Sequence, residues 1–340
     1  MLHTIRTESE LEEGLSTPST WDIEAASRLQ GDVILLGAGG KIGPSLAMRM
    51  ARSVEAAGLK HRVVAVVRKN RAGLFAESSN RIEVVEADLL DPAEYDALPD
   101  APNVVFMVGR KFGSDKDLAA TWATNAWVAG LAARRFRDSR IVVFSTGNVY
   151  PFVSADGPGA NEQTPVAPTG EYAQSALARE RIFEYFSNSL GTRVLLFRLN
   201  YAVDLRYGVL VDICEKVVSG APIDLTNGFA NVIWQGDCNS YCLRSFALCE
   251  SPACILNVTG KKVSVRDVAL RFGRRFGKTP NFVGTESASA LLSDASRCTE
   301  LLGPALVDEE ELIEMTAEWF SAGGVILGKP TKFERRDGSF

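Results

Sequence analysis

The run Leu36-Gly37-Ala38-Gly39-Gly40-Lys41-Ile42-Gly43 follows a short apolar stretch, Val33–Leu36, and leads directly into a helical pattern over 42–56. Glycine permits close backbone approach to a bulky anion, and the first turn of a helix offers unpaired N–H groups and the positive end of its dipole. Strand, glycine turn and helix in this order suit a dinucleotide pyrophosphate. Gly37, Gly40 and Gly43 set the spacing, and Gly39, Lys41 and Ile42 complete the turn. The pattern is GxxGxxG rather than the commoner GxGxxG. At the end of the second strand an acid would accept from a ribose 2′-hydroxyl, whereas a cation would pair a 2′-phosphate. Arg68 and Lys69 stand there, which favours NADP over NAD; the alternative is a pair of solvated loop cations. Asp88, in Ala87-Asp88-Leu89-Leu90-Asp91, reads either as an acceptor for an adenine amino group or as the N-cap of the segment that follows. Leu89, and Gly109 after the fourth strand, complete the expected cofactor contacts.

Such a turn needs a scaffold, and the chain is long enough to provide one: 340 residues correspond to two structural units at roughly 150 residues each. Apolar residues make up 46% and charged residues 23%, an ordinary globular balance. Short β-branched runs at 33–36, 62–67, 82–86, 103–108, 140–144 and 192–198 alternate with helical patterns at 42–56, 117–136 and 172–189. Strands apolar on both faces and joined by helices predict an α/β, Rossmann-type, doubly wound parallel sheet with a smaller C-terminal substrate lobe. The expected divisions are a helical N-terminal extension at 1–30, the dinucleotide domain at 31–200, an interleaved mixed α/β lobe at 201–327 and a polar tail at 328–340.

Composition also excludes. The net charge of −5, with no long basic run, argues against a nucleic-acid partner. No apolar run approaches the ~18 residues of a membrane span, and the polar, acidic start lacks an export signal, so the chain is expected in the cytoplasm. Six cysteines without a CxxC pair read as buried thiols, and with only His3 and His61 neither a His-ligated metal site nor a Ser-His-Asp triad is expected.

Five segments together resemble the extended short-chain dehydrogenase/reductases, the NAD-dependent epimerase/dehydratase family, over residues 32 to 275. They are Gly37-x-x-Gly40-x-x-Gly43, Asp88-Leu-Leu-Asp91, Asn125 on the long helix after strand four, Phe144-Ser-Thr-Gly-Asn-Val-Tyr-Pro151 and Gly170-Glu-Tyr-Ala-Gln-Ser-Ala-Leu-Ala-Arg-Glu180. The resemblance implies bound NAD(P), with Lys111 and Tyr172 also among its contacts, Thr146 in the position of the catalytic hydroxyl and Tyr172 in that of the catalytic tyrosine. Ser145, Thr146, Asn148, Asn200 and Tyr201 are expected on the substrate side, and Asn125 as a backbone anchor. The family's Tyr-x-x-x-Lys motif departs here, because Ala176 stands four residues after Tyr172. A lysine there would lower the phenol pKa from about 10 by its nearby charge.

Three readings follow. Another cation, Arg110 or Lys111 after strand four, replaces the lysine; or Tyr172 stays protonated and acts as a general acid in carbonyl reduction; or the chain binds cofactor without turnover. The first places Lys111 with Thr146 and Tyr172 in catalysis and makes Ala176→Lys neutral or activating. The leading expectation is a hydride-transferring oxidoreductase or epimerase/dehydratase. The resemblance implies a sugar-like or polyhydroxylated small molecule as substrate; 227–237 carries no arginine to clasp a nucleotide diphosphate, which places nucleotide sugars below free sugars and sugar acids, and Arg206 or Arg244 is the alternative source of that charge. The alternative is a catalytically degenerate NAD(P)-binding sensor or structural protein. The resemblance further implies a homodimer through the helix after strand four and the helix bearing Tyr172.

Overall fold

The computed structural model describes residues 5–69, 71, 73–75 and 81–339; Met1 to Thr4 and Phe340, at the ends of the expected extension and tail, lie outside them. Two capped helices open the chain, α1 (Glu8–Ser16) and α2 (Thr20–Ser27). The first half then runs β1 (Val33–Leu36), α3 (Gly43–Ala56), β2 (Val63–Val67), β3 (Ile82–Glu86), β4 (Asn103–Phe106), α4 (Leu118–Trp122), α5 (Val128–Arg135), β5 (Arg140–Thr146), β6 (Val153–Ser154), α6 (Gly170–Leu190) and β7 (Arg193–Leu199). The second half holds β8 (Ala202–Val203), α7 (Val209–Ser219), β9 (Pro222–Asp224), β10 (Phe229–Asn231), β11 (Ile233–Trp234), α8 (Gln235–Arg244), β12 (Cys254–Val258), β13 (Lys262–Ser264), α9 (Val265–Phe276), β14 (Asn281–Val283), β15 (Ser289–Ala290), α10 (Ser296–Leu302) and α11 (Glu309–Ser321).

The central sheet has seven parallel strands in the order β12-β7-β5-β4-β1-β2-β3. Alternate residues serve its two faces. Val33 and Leu35 join the core under α3 and α8, while Ile34 and Leu36 join the core under α5 and α6. A parallel sheet buried in this way is read from near-continuous apolar strands, and the doubly wound Rossmann-type fold agrees with the sequence.

The boundary drawn at residue 200 does not confine the sheet. β12 supplies its seventh strand, and Tyr241, Leu243, Cys298 and Leu302 pack into the first core. Conversely, Leu11 and Leu15 of α1 and Phe333 of the tail belong to the second core, with α7, α9 and α11. The N-terminal helices are therefore not a separate extension. Asp22 of α2 is fully buried and accepts from Arg49 Nε and Nη2 of α3 at 3.0 and 2.7 Å and from Ser240 Oγ of α8 at 2.5 Å. All six cysteines are buried and unpaired. Among the described residues no helix is long and apolar enough to cross a membrane.

Candidate active site

The glycine turn sits at the carboxyl end of β1, and its glycines fall into two kinds. Gly37 has φ +86°, and a Cβ on it would lie 2.9 Å from Val108; a Cβ on Gly43 would lie 1.9 Å from Ala38 O. The fold itself demands these two. At Gly40 the nearest atom to an added Cβ is 3.8 Å away, and at Gly39 it is the Arg71 Cβ at 3.5 Å, so protein packing requires glycine at neither. Among the described residues no side chain caps α3; Gly43 N donates to Gly40 O at 3.3 Å and Pro44 has no N–H, so a ligand would draw on the amides of the glycine turn itself and on that of Ser45. Open glycines in front of an uncapped helix fit a dinucleotide pyrophosphate. Gly40→Ala is accordingly expected to leave the melting temperature unchanged while weakening NADPH binding by about tenfold or more, as checked by calorimetry and fluorescence titration. Gly43→Ala should instead lower the melting temperature.

Arg68 and Lys69 are exposed just beyond β2, and Arg71, which the sequence did not single out, stands beside Gly39. Asp88 is exposed, and its Oδ1 accepts from Leu90 N at 3.1 Å. The N-cap reading of Asp88 is corrected: the cap of the following turn is Asp91, whose side chain accepts from Ala93 N. Leu89 is buried below. Lys41 sends its side chain away from the turn, with Nζ donating to Ala202 O at 2.9 Å and lying 4.6 Å from the centre of the Tyr207 ring.

The chemical end of the cleft is built by β4, β5 and the head of α6. Thr146 closes β5, and its hydroxyl accepts from Asn148 N at 3.1 Å and hydrogen-bonds the Tyr172 phenol. Burial pushes the Tyr172 pKa up, opposed by the Arg179 charge and by Thr146. The phenol is therefore protonated at neutral pH. Lys111, in the loop after β4, places Nζ 5.8 Å from the Tyr172 ring centre and 5.5 Å from that of Tyr201. Burial pushes its ammonium down to about 8, against the pull of Asp212. Tyr201 has φ +33°, an uncommon conformation for a residue with a side chain. Burial raises its phenol and that of Tyr207, with Tyr172 among the neighbours of both.

The backbone of Arg110, just before Lys111, is held by a clamp. The Asn125 side chain accepts from Arg110 N at 2.7 Å and donates to Arg110 O at 3.1 Å and to Ser175 Oγ at 2.8 Å. Asn125 lies in a π-helical turn, 123–127, that interrupts the expected continuous helix between α4 and α5. Such turns re-aim a side chain locally, and the anchor reading of Asn125 agrees with this geometry. Behind it Arg179, two helical turns after Tyr172, donates to Asn125 O, Asn125 Oδ1 and Phe144 O at 3.3, 3.0 and 2.7 Å. Arg179 was not anticipated from the sequence. A cation on the Tyr172 face of α6 was the available signal. A Cβ on Gly109 would come 3.1 Å from Arg179 Nη2, so glycine there admits the guanidinium.

Ala176 is fully buried with Val149, Tyr150 and Ala160. A lysine placed there would bury its stem in a packed apolar cluster, a folding cost that stands against the expected neutral or activating effect of Ala176→Lys. Ser145 is committed elsewhere, its hydroxyl donating to Glu180 Oε1 at 2.5 Å. Glu180 in turn pairs with Arg198, which donates to Tyr150 Oη at 2.8 Å. Asn200 is buried, and its Nδ2 donates to Ser293 Oγ at 3.1 Å. The site thus gathers Thr146, Tyr172, Lys111 and Tyr201, while Ser145 and Asn200 support it from beneath. Among the described residues no group of three or more His, Cys, Asp or Glu side chains could hold a metal ion.

A seven-stranded parallel sheet with this turn at the end of β1 defines a Rossmann-type α/β protein of the dinucleotide-binding class. The model of the NAD dependent epimerase/dehydratase family matches residues 33–203, and the chain belongs to that family. No curated protein matches it. Among solved structures it is similar in fold to UDP-glucuronic acid 4-epimerase from Bacillus cereus in complex with UDP-glucuronic acid and NAD, at 16% identity and TM-score 0.70, covering 85% of this chain and 99% of that one. It is similar also to dTDP-glucose 4,6-dehydratase from Bacillus anthracis str. Ames in complex with NAD, at 14% identity and TM-score 0.71, covering 86% and 96%. A third is UDP-glucose 4-epimerase with UDP-glucose from Thermotoga maritima, at 16% identity and TM-score 0.70, covering 86% and 99%.

Proposed function

We propose that the chain is an NAD(P)-dependent oxidoreductase or epimerase of the extended short-chain class, preferring NADP, that interconverts a carbinol and a carbonyl on a polyhydroxylated small molecule. The observation that carries this is the meeting of a Thr146 hydroxyl, a protonated Tyr172 phenol and the Lys111 ammonium at one end of the cleft. Gly39, Gly40 and the start of α3 would hold the pyrophosphate of a nicotinamide dinucleotide, which when bound would supply the hydride chemistry. Thr146 orients the substrate oxygen. Tyr172 gives that oxygen its proton in the reductive direction and takes it back in the oxidative one, and Lys111 steadies the charge that develops between them. A phenol held above its usual pKa suits the donor role in carbonyl reduction, which needs no phenolate at the start. The preference for NADP rests on Arg68 and Lys69, with Arg71 adding a third cation at the same rim.

Paired fluorescence titrations with NADPH and NADH test the reading. Tighter NADPH binding that weakens about tenfold on Arg68→Ala is expected, the size of one lost charge-assisted contact. Failure of both nucleotides to bind would remove the proposal. The exposed Leu118, Trp122, Trp127 and Tyr185 on the helices from α4 to α6 support a homodimer through that face. Light scattering should give twice the 36.8 kDa chain mass, and Trp127→Glu should return the monomer.

A further inference from the structure

The end of the chain is built into the substrate side of the cleft. Thr331 and Phe333 are buried. The Thr331 amide and hydroxyl both donate to Asp212 Oδ2 in the first turn of α7, at 2.7 and 2.5 Å. Glu334 pairs with Lys216 on the same helix. Asn227 is used twice, its Nδ2 donating to Phe333 O at 2.6 Å and its Oδ1 accepting from Arg336 Nη1 at 3.3 Å. The Arg336 guanidinium also donates to Ser289 O and Oγ at 2.7 and 2.9 Å and lies 4.1 Å from the centre of the Phe152 ring. Beyond it the backbone of Gly338 meets that of Thr169 and Gly170. A Cβ on Gly170 would fall 2.5 Å from Gly338 O, and one on Gly338 would fall 2.3 Å from Thr169 O. Tyr172 is two residues further on.

The segment therefore runs from α7 past Asn227, Ser289 and Phe152 to the head of α6, two residues from Tyr172. Glu334 acts electrostatically on Tyr201, whose ring faces Lys111. Because Gly338 packs on Gly170 and Glu334 acts on Tyr201, a nucleotide extending from Tyr172 on this side would meet the segment. The segment 227–237 offers no arginine for a diphosphate, and the asparagine at its start is fully engaged by the tail.

We propose that residues 331–338 form a fixed wall of the substrate site that limits it to a hydroxylated or carbonyl compound of monosaccharide size, without a nucleotide, and that Arg336 pins that wall. The inference rests on the oxidoreductase reading above. Its test uses the intact chain, the Arg336→Ala variant and a chain ending at Gly328, each titrated calorimetrically with UDP and UDP-glucose in saturating NADPH. The expected result is no binding of either uridine compound to the intact chain at millimolar concentration, and binding to at least one altered chain whose NADPH affinity is unchanged. Micromolar binding of UDP or UDP-glucose to the intact chain overturns the wall. So does their failure to bind either altered chain once NADPH binding shows that chain to be folded. Arg336→Ala keeps the comparison decisive if the shortened chain does not fold. Loss of NADPH and NADH binding by the intact chain is a separate outcome, which defeats the oxidoreductase reading itself.

Discussion

Replacing Tyr172 by phenylalanine should lower NAD(P)H-linked turnover by about 10²- to 10⁴-fold, the usual worth of a positioned acid or base, without changing nucleotide affinity. The ring stays, so packing against Lys111 at 5.8 Å is kept. Only the hydroxyl that hydrogen-bonds Thr146 is lost. Thr146→Val tests the same pair from the other side and should cost less, since Thr146 orients oxygen but moves no proton. It also removes the acceptor for Asn148 N, so a melting curve must accompany the kinetics. A panel of sugars, sugar acids and simple carbonyls read at the nicotinamide absorbance supplies the measurement. Unchanged turnover in Tyr172→Phe would reassign the proton donor.

The second large effect belongs to Lys111. Its ammonium, brought down to about 8 by burial, is charged below that pH and neutral above it. If the charge is what the reaction uses, kcat/KM should hold steady on the acid side and fall as pH rises through 8. Lys111→Ala should lose activity on the scale of Tyr172→Phe at neutral pH. Lys111→Arg keeps a charge that does not titrate in this range, so whatever activity it retains should lack the break near 8. A pH profile of Lys111→Arg that kept the wild-type break would exclude Lys111 as its source. The same measurement separates a replacement cation from a simple acid role for Tyr172, whose upward-shifted phenol gives no break near neutrality.

Much of this site was legible in the sequence because its determinants are local. A glycine turn between an apolar run and a helix, a cation after β2 and hydroxyls at the end of β5 are positions on a regular alternation, and the alternation fixes where they fall. Lys111 was legible for the same reason, as a residue just beyond β4. The missed features are tertiary. β12 escaped because Asn257 interrupts its apolar pattern; in the fold that amide is fully buried, accepting from Tyr150 Oη at 2.9 Å and donating to Ala160 O and Asp294 O at 2.9 and 3.0 Å. Arg179 on a helix reads as a solvated charge until three acceptors from other elements are seen around it. The tail offered a row of polar and basic residues, and nothing local announces that Asp212 and Asn227 wait for it.

The placement of α1 and α2 bears on motion. Leu11 and Leu15 sit in the second core, Asp22 is locked to α3 and α8, and Glu12 pairs with Arg206 at 2.7 Å. The two cores are thereby stapled together at the back of the molecule. A hinge that rocked one core against the other would have to pull the two buried leucines of α1 out of the second core or strip α1 from α3 and α8, a cost of several kcal/mol. Any motion at the site is then expected in the loops around Lys111 and Tyr201. Hydrogen exchange should accordingly find the amides of α1 opening only with global unfolding, while those of the 109–116 loop exchange early.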